Sequence, residues 1–342
     1  MPMARLLHLR GPHLGSGLAI GFGALLLGAG GLLAANAFQA GKQPLPYAYT
    51  TTKEEASEAT RLLAGAVDGS SAQTIELRSV GQGKLLASGQ MLVLPDGEDI
   101  LVGWRSEIGE PLLRSDISGE EEEKLVAALR KHLPAGSTVY AMPDLSRRLA
   151  AMTEATYPLA GANDSATMRL PDLWSGARTA ILEEESRWRP ATPDKTADKA
   201  FKDFLSALDA EDKYGVAHLQ VLAGGREAYV ILHVRDAFDI GVASPGTLSV
   251  GLRDFPSANN VHDVTKLVKN WVNEEGYAAY AVIQRDANAV RAYYLGEDRD
   301  KSSLIGQLLP FNSARLGQVA GAVPVFQNGG YWVYRIDPVS GT

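Results

Sequence analysis

Runs of apolar residues, alternating runs and three-to-four spaced stripes succeed one another along this chain, and each pattern predicts an element. Residues 14–40, LGSGLAIGFGALLLGAGGLLAANAFQA, contain no charged side chain. A membrane-spanning helix needs roughly 20 mainly apolar residues, and residues 16–38 meet that length. Beyond them the pattern breaks into short elements. Thr52 and Glu55 have the T-x-x-E spacing of a capping box and predict a helix to about residue 67. Alternation over 74–80, 84–94 and 99–104, between Gly, Pro and Asp turn signals, predicts strands. Ser118 and Glu121 repeat the capping spacing. They predict a helix through His132, whose acidic start (Glu120, Glu121, Glu122, Glu123) suits the positive end of the helix dipole.

A short strand over 137–142 then leads into Pro143-Asp144-Leu145-Ser146-Arg147-Arg148, read as a helix start. Residues 156–170 read as an irregular loop. Trp174, Ile181 and Trp188 recur near helical spacing and predict a helix over 173–188, ended by Pro190 and Pro193. Another helix is expected over 195–208, with Phe201, Phe204, Leu205 and Leu208 on one side. Strands are expected over 217–222 and 228–234 as a hairpin about Gly224-Gly225, and over 247–252. A helix over 261–274 would bury Val264, Leu267, Val268 and Trp271. A hairpin over 277–284 and 289–295, a short helix over 302–309, and strands over 323–326 and 331–336 complete the chain. Hairpins mixed with helices predict an α+β fold of mixed, largely antiparallel sheets with packed helices, behind a single N-terminal transmembrane helix. The expected organisation is a basic leader (1–13), an anchor or cleaved signal (14–40), a linker (41–52), and two α/β subdomains (53–190 and 191–342).

Charge orients the anchor. Arg5 and Arg10 precede the apolar run, whereas Lys42 is followed by Glu54, Glu55 and Glu58. The positive-inside rule therefore puts the N-terminus in the cytoplasm and the main domain in the periplasm, held at the inner membrane through residues 16–38. Ala35-Asn36-Ala37 offers a competing signal-peptidase site, but the run is longer than the roughly 7–15 apolar residues of a cleavable core. A net charge of −7 argues against a nucleic-acid partner. The absence of cysteine excludes disulfides, thiolate metal sites and the C-x-x-C-H attachment of c-type haem.

No motif demands an enzyme. The chain has no G-x-S-x-G elbow, no P-loop and no dinucleotide fingerprint, and its histidines show no metal-ligand spacing. No catalytic residue is assigned, and no cofactor or metal is expected. His233 and Asp236 form the best acid–base pairing on offer, against the alternative of a buried structural histidine. Asp144, Ser146, Arg147 and Arg148 lie where a strand gives way to a helix, a common place for binding loops. They could hold an anion, or Asp144 or Ser146 could cap the helix while the arginines are solvated. At the C-terminus Tyr331, Val333 and Arg335 would face one way and Trp332, Tyr334 and Ile336 the other. Such a strand can close the core or present Tyr331, Trp332, Tyr334 and Arg335 as an interface.

Several stretches together resemble one family. The strand and Pro143–Arg148 turn, residues 229–236, Arg291-Ala292-Tyr293-Tyr294-Leu295, Leu308-Leu309-Pro310-Phe311 and residues 329–336 are similar to the hydroxylamine-oxidation protein HaoB family. The resemblance implies a membrane-held periplasmic accessory of hydroxylamine oxidation, whose partner is the multihaem hydroxylamine dehydrogenase and whose role is to bind, mature or tether it. It carries over no catalytic residue. A periplasmic small-molecule or anion-binding module is the alternative reading.

Overall fold

Ile231 and Val230 are neighbours in one strand, and both are fully buried in different cores. Such a strand has protein on both faces, and the architecture follows from that. The computed structural model describes residues 44–189, 194–257 and 261–339. Strands β1 (Tyr47–Thr51), β2 (Ser71–Ser79), β3 (Leu85–Val93) and β4 (Asp99–Ser106) form an antiparallel sheet in that order. Strands β5 (Val139–Tyr140) and β6 (Ala228–His233) pair in parallel. Strands β7 (Val250–Pro256), β8 (Ala279–Asp286) and β9 (Ala289–Leu295) make a second antiparallel sheet, ordered β7-β9-β8. Strands β10 (Ala322–Asn328) and β11 (Tyr331–Ile336) form a hairpin that joins β6, giving a central sheet ordered β10-β11-β6-β5. The helices are α1 (Glu58–Ala64), α2 (Gly119–His132), α3 (Pro143–Met152), α4 (Arg178–Glu184), α5 (Lys195–Asp209), α6 (Asp212–Leu222), α7 (Val234–Ala243), α8 (Val261–Glu275), α9 (Asp298–Ser302) and α10 (Leu304–Leu308).

Period-two alternation divides the central sheet between two cores. Ile231, Tyr331 and Val333 pack with Leu125, Leu129, Leu145 and Leu149 of α2 and α3. Val230, Leu232, Tyr334 and Ile336 pack with Phe201, Phe204, Leu219 and Leu308 of α5, α6 and α10. The Trp174–Ile181–Trp188 stripe packs on Ile75, Leu77, Leu101 and Trp104 of the first sheet, as its spacing predicts. Helix α8 covers the β7-β9-β8 sheet through Val264, Val268 and Val272, whereas Leu267 turns outward, 49% exposed.

The α+β class with largely antiparallel sheets is as expected. The expected transmembrane segment, 14–40, lies outside the described residues, and among those described no helix is long and apolar enough to cross a membrane. Local corrections have local causes. Thr52 does not cap a helix: its N–H bonds to the Thr74 carbonyl at 2.9 Å, prolonging the pairing of β1 with β2. Ser57 caps α1 instead, its Oγ accepting from the Thr60 N–H at 3.2 Å. Residues 47–51, read as part of a linker, pair as β1 because Tyr47 is buried. Residues 217–222, expected as a strand, belong to helix α6, which buries Gly215, Val216 and Leu219. The Gly224-Gly225 pair, both at positive φ, is a helix stop, with the Gly225 N–H donating to the Gln220 carbonyl at 2.8 Å. The helix expected over 173–188 is one α-helical segment, α4, flanked by 3₁₀ turns at Asp172–Ala177 and Glu185–Trp188.

Candidate functional site

Parallel pairing sets the geometry of the site. β5 and β6 align Val139 with Tyr229 and Tyr140 with Val230, so both strands run towards the same end of the sheet. Each then feeds a helix, β5 into α3 and β6 into α7, and the two positive helix starts lie side by side. Pro143 opens α3 without needing a donor, and no side chain caps it. Asp144 is the second residue of α3, and Arg235 is the second of α7. Arg148, one turn after Asp144, donates from Nη1 to Asp144 Oδ2 at 3.0 Å, and Arg235 Nη2 lies 3.8 Å from the same oxygen. Burial opposes ionisation of Asp144, but the charges of Arg148, Arg235 and Arg147 outweigh it and hold the carboxyl far below the usual range.

Behind this pair lies a second layer. Arg148 Nε donates to Glu122 Oε1 of α2 at 2.7 Å, with both side chains buried, and the Tyr331 hydroxyl donates to Glu122 Oε2 at 3.3 Å. His233 ends β6 with its ring edge-on to Tyr331, centroids 4.6 Å apart. Its Nδ1 accepts the Arg235 N–H at 3.1 Å, so the proton resides on Nε2, which faces Glu121 Oε2 at 3.2 Å. Glu121 also accepts the Gly330 N–H at 3.0 Å. Asp236 does not touch the imidazole. Its carboxylate accepts the His233 backbone N–H at 2.7 Å, completing a capping box for α7. The His233–Asp236 pair is thus a helix cap and not an acid–base couple. Burial lowers the His233 pKa to about 4 and raises that of Asp236 to about 8, in each case against neighbouring groups that favour the charged form.

In front of Asp144 opens a cavity of about 1140 Å³, walled by α3, β4, the 160–168 loop and the 3₁₀ turn at 185–188. Arginines line it: Arg114, Arg147, Arg148, Arg187, Arg189 and Arg235. Asp164 receives Arg147 Nη2 and, at 2.7 Å, Arg189 Nε. Glu185 accepts the hydroxyls of Tyr47 and Tyr49 at 2.6 and 2.9 Å and is ion-paired with Arg114. Asp239 accepts from Ser115 Oγ at 2.6 Å and Arg169 Nη2 at 3.0 Å. Leu113, at φ 64°, is the one non-glycine residue with positive φ among those described, and it lies in this wall. Among the described residues no group of three or more His, Asp or Glu is placed to hold a metal ion.

Of the residues singled out from sequence, the structure brings Asp144, Arg148, His233, Asp236 and Tyr331 into one cluster and sets Arg147 beside it on the cavity. Ser146 turns inward, donating from Oγ to the Ala141 carbonyl at 2.9 Å. Tyr334 is fully buried on the opposite face of the sheet, where its hydroxyl donates to the Leu308 carbonyl. Trp332 packs beside it, rings stacked at 6.5 Å. Arg335 is paired with Glu227 and Asp337. Sequence reading missed Glu122, Glu185 and Arg235. A signal was present for two of them. Glu122 shares a helical face with Leu125, Val126 and Leu129, and Glu185 stands four residues after Ile181 on the Trp174–Trp188 stripe. An acid on an apolar stripe needs a buried partner.

The fold and site define an α+β domain with an ion-pair lock under a polar cavity. The chain belongs to the HaoB family: the family model described as HaoA-associated protein HaoB matches residues 14–336. Curated proteins and solved structures yield no match to this chain.

Proposed function

We propose that the protein is a membrane-anchored, periplasmic accessory of hydroxylamine oxidation that binds, matures or tethers the multihaem hydroxylamine dehydrogenase. The observation that carries this reading is the family match over residues 14–336, nearly the whole chain, to a family described as HaoA-associated. The chain's own chemistry supports an auxiliary role. With no cysteine it holds no thioether-linked haem, so it does not pass electrons as a c-type cytochrome does. The histidine best placed to act as a base has its Nδ1 committed to a helix cap. The basic leader and the uncharged 14–40 stretch support attachment to the membrane with the main domain outside the cytoplasm. Affinity capture of the tagged, detergent-solubilised full-length protein from its native host is expected to recover the multihaem enzyme, identified by its haem absorbance. A capture that repeatedly returns the bait without haem protein would overturn the association. Protease added to intact spheroplasts is expected to degrade the main domain, and its protection would overturn the orientation.

A further inference from the structure

One end of the first sheet gathers exposed apolar side chains around the start of β1. The Val80 N–H donates to the Pro46 carbonyl at 3.0 Å, which fixes the β2–β3 turn (79–84) beside that start. Antiparallel order brings the close of β4 to the same end, where the Glu107 N–H donates to the Leu86 carbonyl at 2.9 Å. The 3₁₀ turn Asp172–Ala177 flanks β1, with the rings of Trp174 and Tyr47 5.3 Å apart. Val80, Ile108 and Leu173 extend from these three segments, 59%, 41% and 96% exposed. A scattered exposed leucine is ordinary, but large apolar side chains grouped at one end mark an interaction surface. At Gly81 and Gly83 of the turn a Cβ would meet nothing within 4 Å, so the tip projects clear of the fold.

Charge sets this end apart from the other. Arg78 and Arg105 are paired with Glu76 and Glu107 at 2.6 and 2.8 Å, and the turn itself carries one charge, the exposed Lys84. The opposite end, after β1, before β2 and between β3 and β4, exposes Glu54, Glu55, Asp68, Asp96 and Glu98. A bilayer surface accepts apolar side chains beside a lysine that reaches the phosphates, and its anionic lipids repel an acidic rim. Chain length selects this occupant. The uncharged stretch ends at residue 40 and β1 begins at Tyr47. The residues between them reach at most about 20 Å, and so short a tether makes even a weak surface contact effectively intramolecular. We infer that Val80, Ile108 and Leu173 rest in the lipid head-group layer, with Lys84 at the phosphates and the acidic end turned away. The inference builds on the membrane attachment proposed above and adds to it the face that meets the lipid.

The chain has no cysteine, so single-cysteine variants of the full-length protein take one fluorophore each. Val80→Cys, Ile108→Cys and Leu173→Cys label the patch, Asp96→Cys labels the acidic end, and Gly41→Cys labels the position next to the uncharged stretch. Each is reconstituted in phosphatidylcholine–phosphatidylglycerol nanodiscs with and without a head-group nitroxide lipid. The three patch labels are expected to be quenched at least threefold more than the Asp96 label, and the Gly41 label at least as strongly as they are. Patch labels quenched no more than the Asp96 label, beside a quenched Gly41 label, would overturn the inference and leave the attachment standing. An unquenched Gly41 label would overturn the attachment and the inference with it. Adding Val80→Asp and Leu173→Asp to the Ile108→Cys protein is expected to bring its quenching down at least twofold, and undiminished quenching would overturn the apolar contact. The patch and Asp96 positions are exposed, where substitutions change stability little.

Discussion

The tautomer of His233 is set by its neighbours, and with it a pH dependence. Because Nδ1 accepts from the Arg235 N–H, a second proton on the ring would have to displace that bond and break the α7 cap. Burial lowers the pKa from 6.5 to about 4. The unfolded chain therefore takes up a proton below about pH 6.5, while the folded protein resists until about pH 4. Above that window His233 contributes no pH dependence; through it, stability is lost as pH falls, by roughly 3 kcal/mol in total. His233→Asn keeps an acceptor suited to a helix N-cap and removes the titration. In urea denaturation at stepped pH, the stability gap between wild type and this variant is expected to narrow as pH falls from 6.5 towards 4. A gap independent of pH would show that the imidazole is not held neutral. Gly330 belongs to the same contact: a Cβ there would collide with the His233 ring. Gly330→Ala is expected to cost about 2 kcal/mol or more, seen as a lowered denaturation midpoint with an unchanged slope. A midpoint equal to wild type would show the turn to be roomier than described.

Among elements, the decisive joint is between α2 and α3. Glu122 and Arg148 are both buried, 0% and 4% exposed at the side chain, and bonded at 2.7 Å. Removing one partner of such a pair leaves the other charge buried and costs about 3–5 kcal/mol, whereas replacing both with apolar residues is often near neutral. Glu122→Leu alone is therefore expected to destabilise strongly, and adding Arg148→Met to recover much of the loss. A double variant no better than the single one would mean that Arg148 also stabilises the fold through Asp144. Helix α6 shows why element type was harder to read than element position. Val216, Leu219 and Leu222 fit a helix, yet the 217–222 stretch also fits a strand. The helix buries Gly215, Val216 and Leu219 on one face, and at Gly215 a Cβ would strike the Ala207 carbonyl of α5 and Leu304 of α10.

For the whole molecule, the central sheet binds the two halves of the chain together. β5 comes from before residue 190 and β6, β10 and β11 from after it, and residues 45–342 form one compact unit by their contacts. Arg291, 1% exposed, adds a second tie: it bonds Asp254 at 2.6 Å and Asp116, from the connection after β4, at 3.0 Å. A single cooperative unfolding transition is expected, coincident by far-UV circular dichroism and tryptophan fluorescence. Two separated transitions would show that the halves fold as independent domains.

Local pattern alone determined the α+β class, most strand positions, the Ser118 cap and the Trp174–Ile181–Trp188 stripe, because alternation, capping and helical spacing act within a few residues. It also supplied the uncharged 14–40 stretch and the family resemblance. Which polar residues meet was decided only in three dimensions. Asp144 finds Arg235, 91 positions away, through parallel pairing of β5 with β6, and His233 finds Glu121 through the packing of α2 beside the β10–β11 turn. A charge's partner depends on what the fold places within about 4 Å, where the Coulomb energy is large. No local spacing encodes that distance.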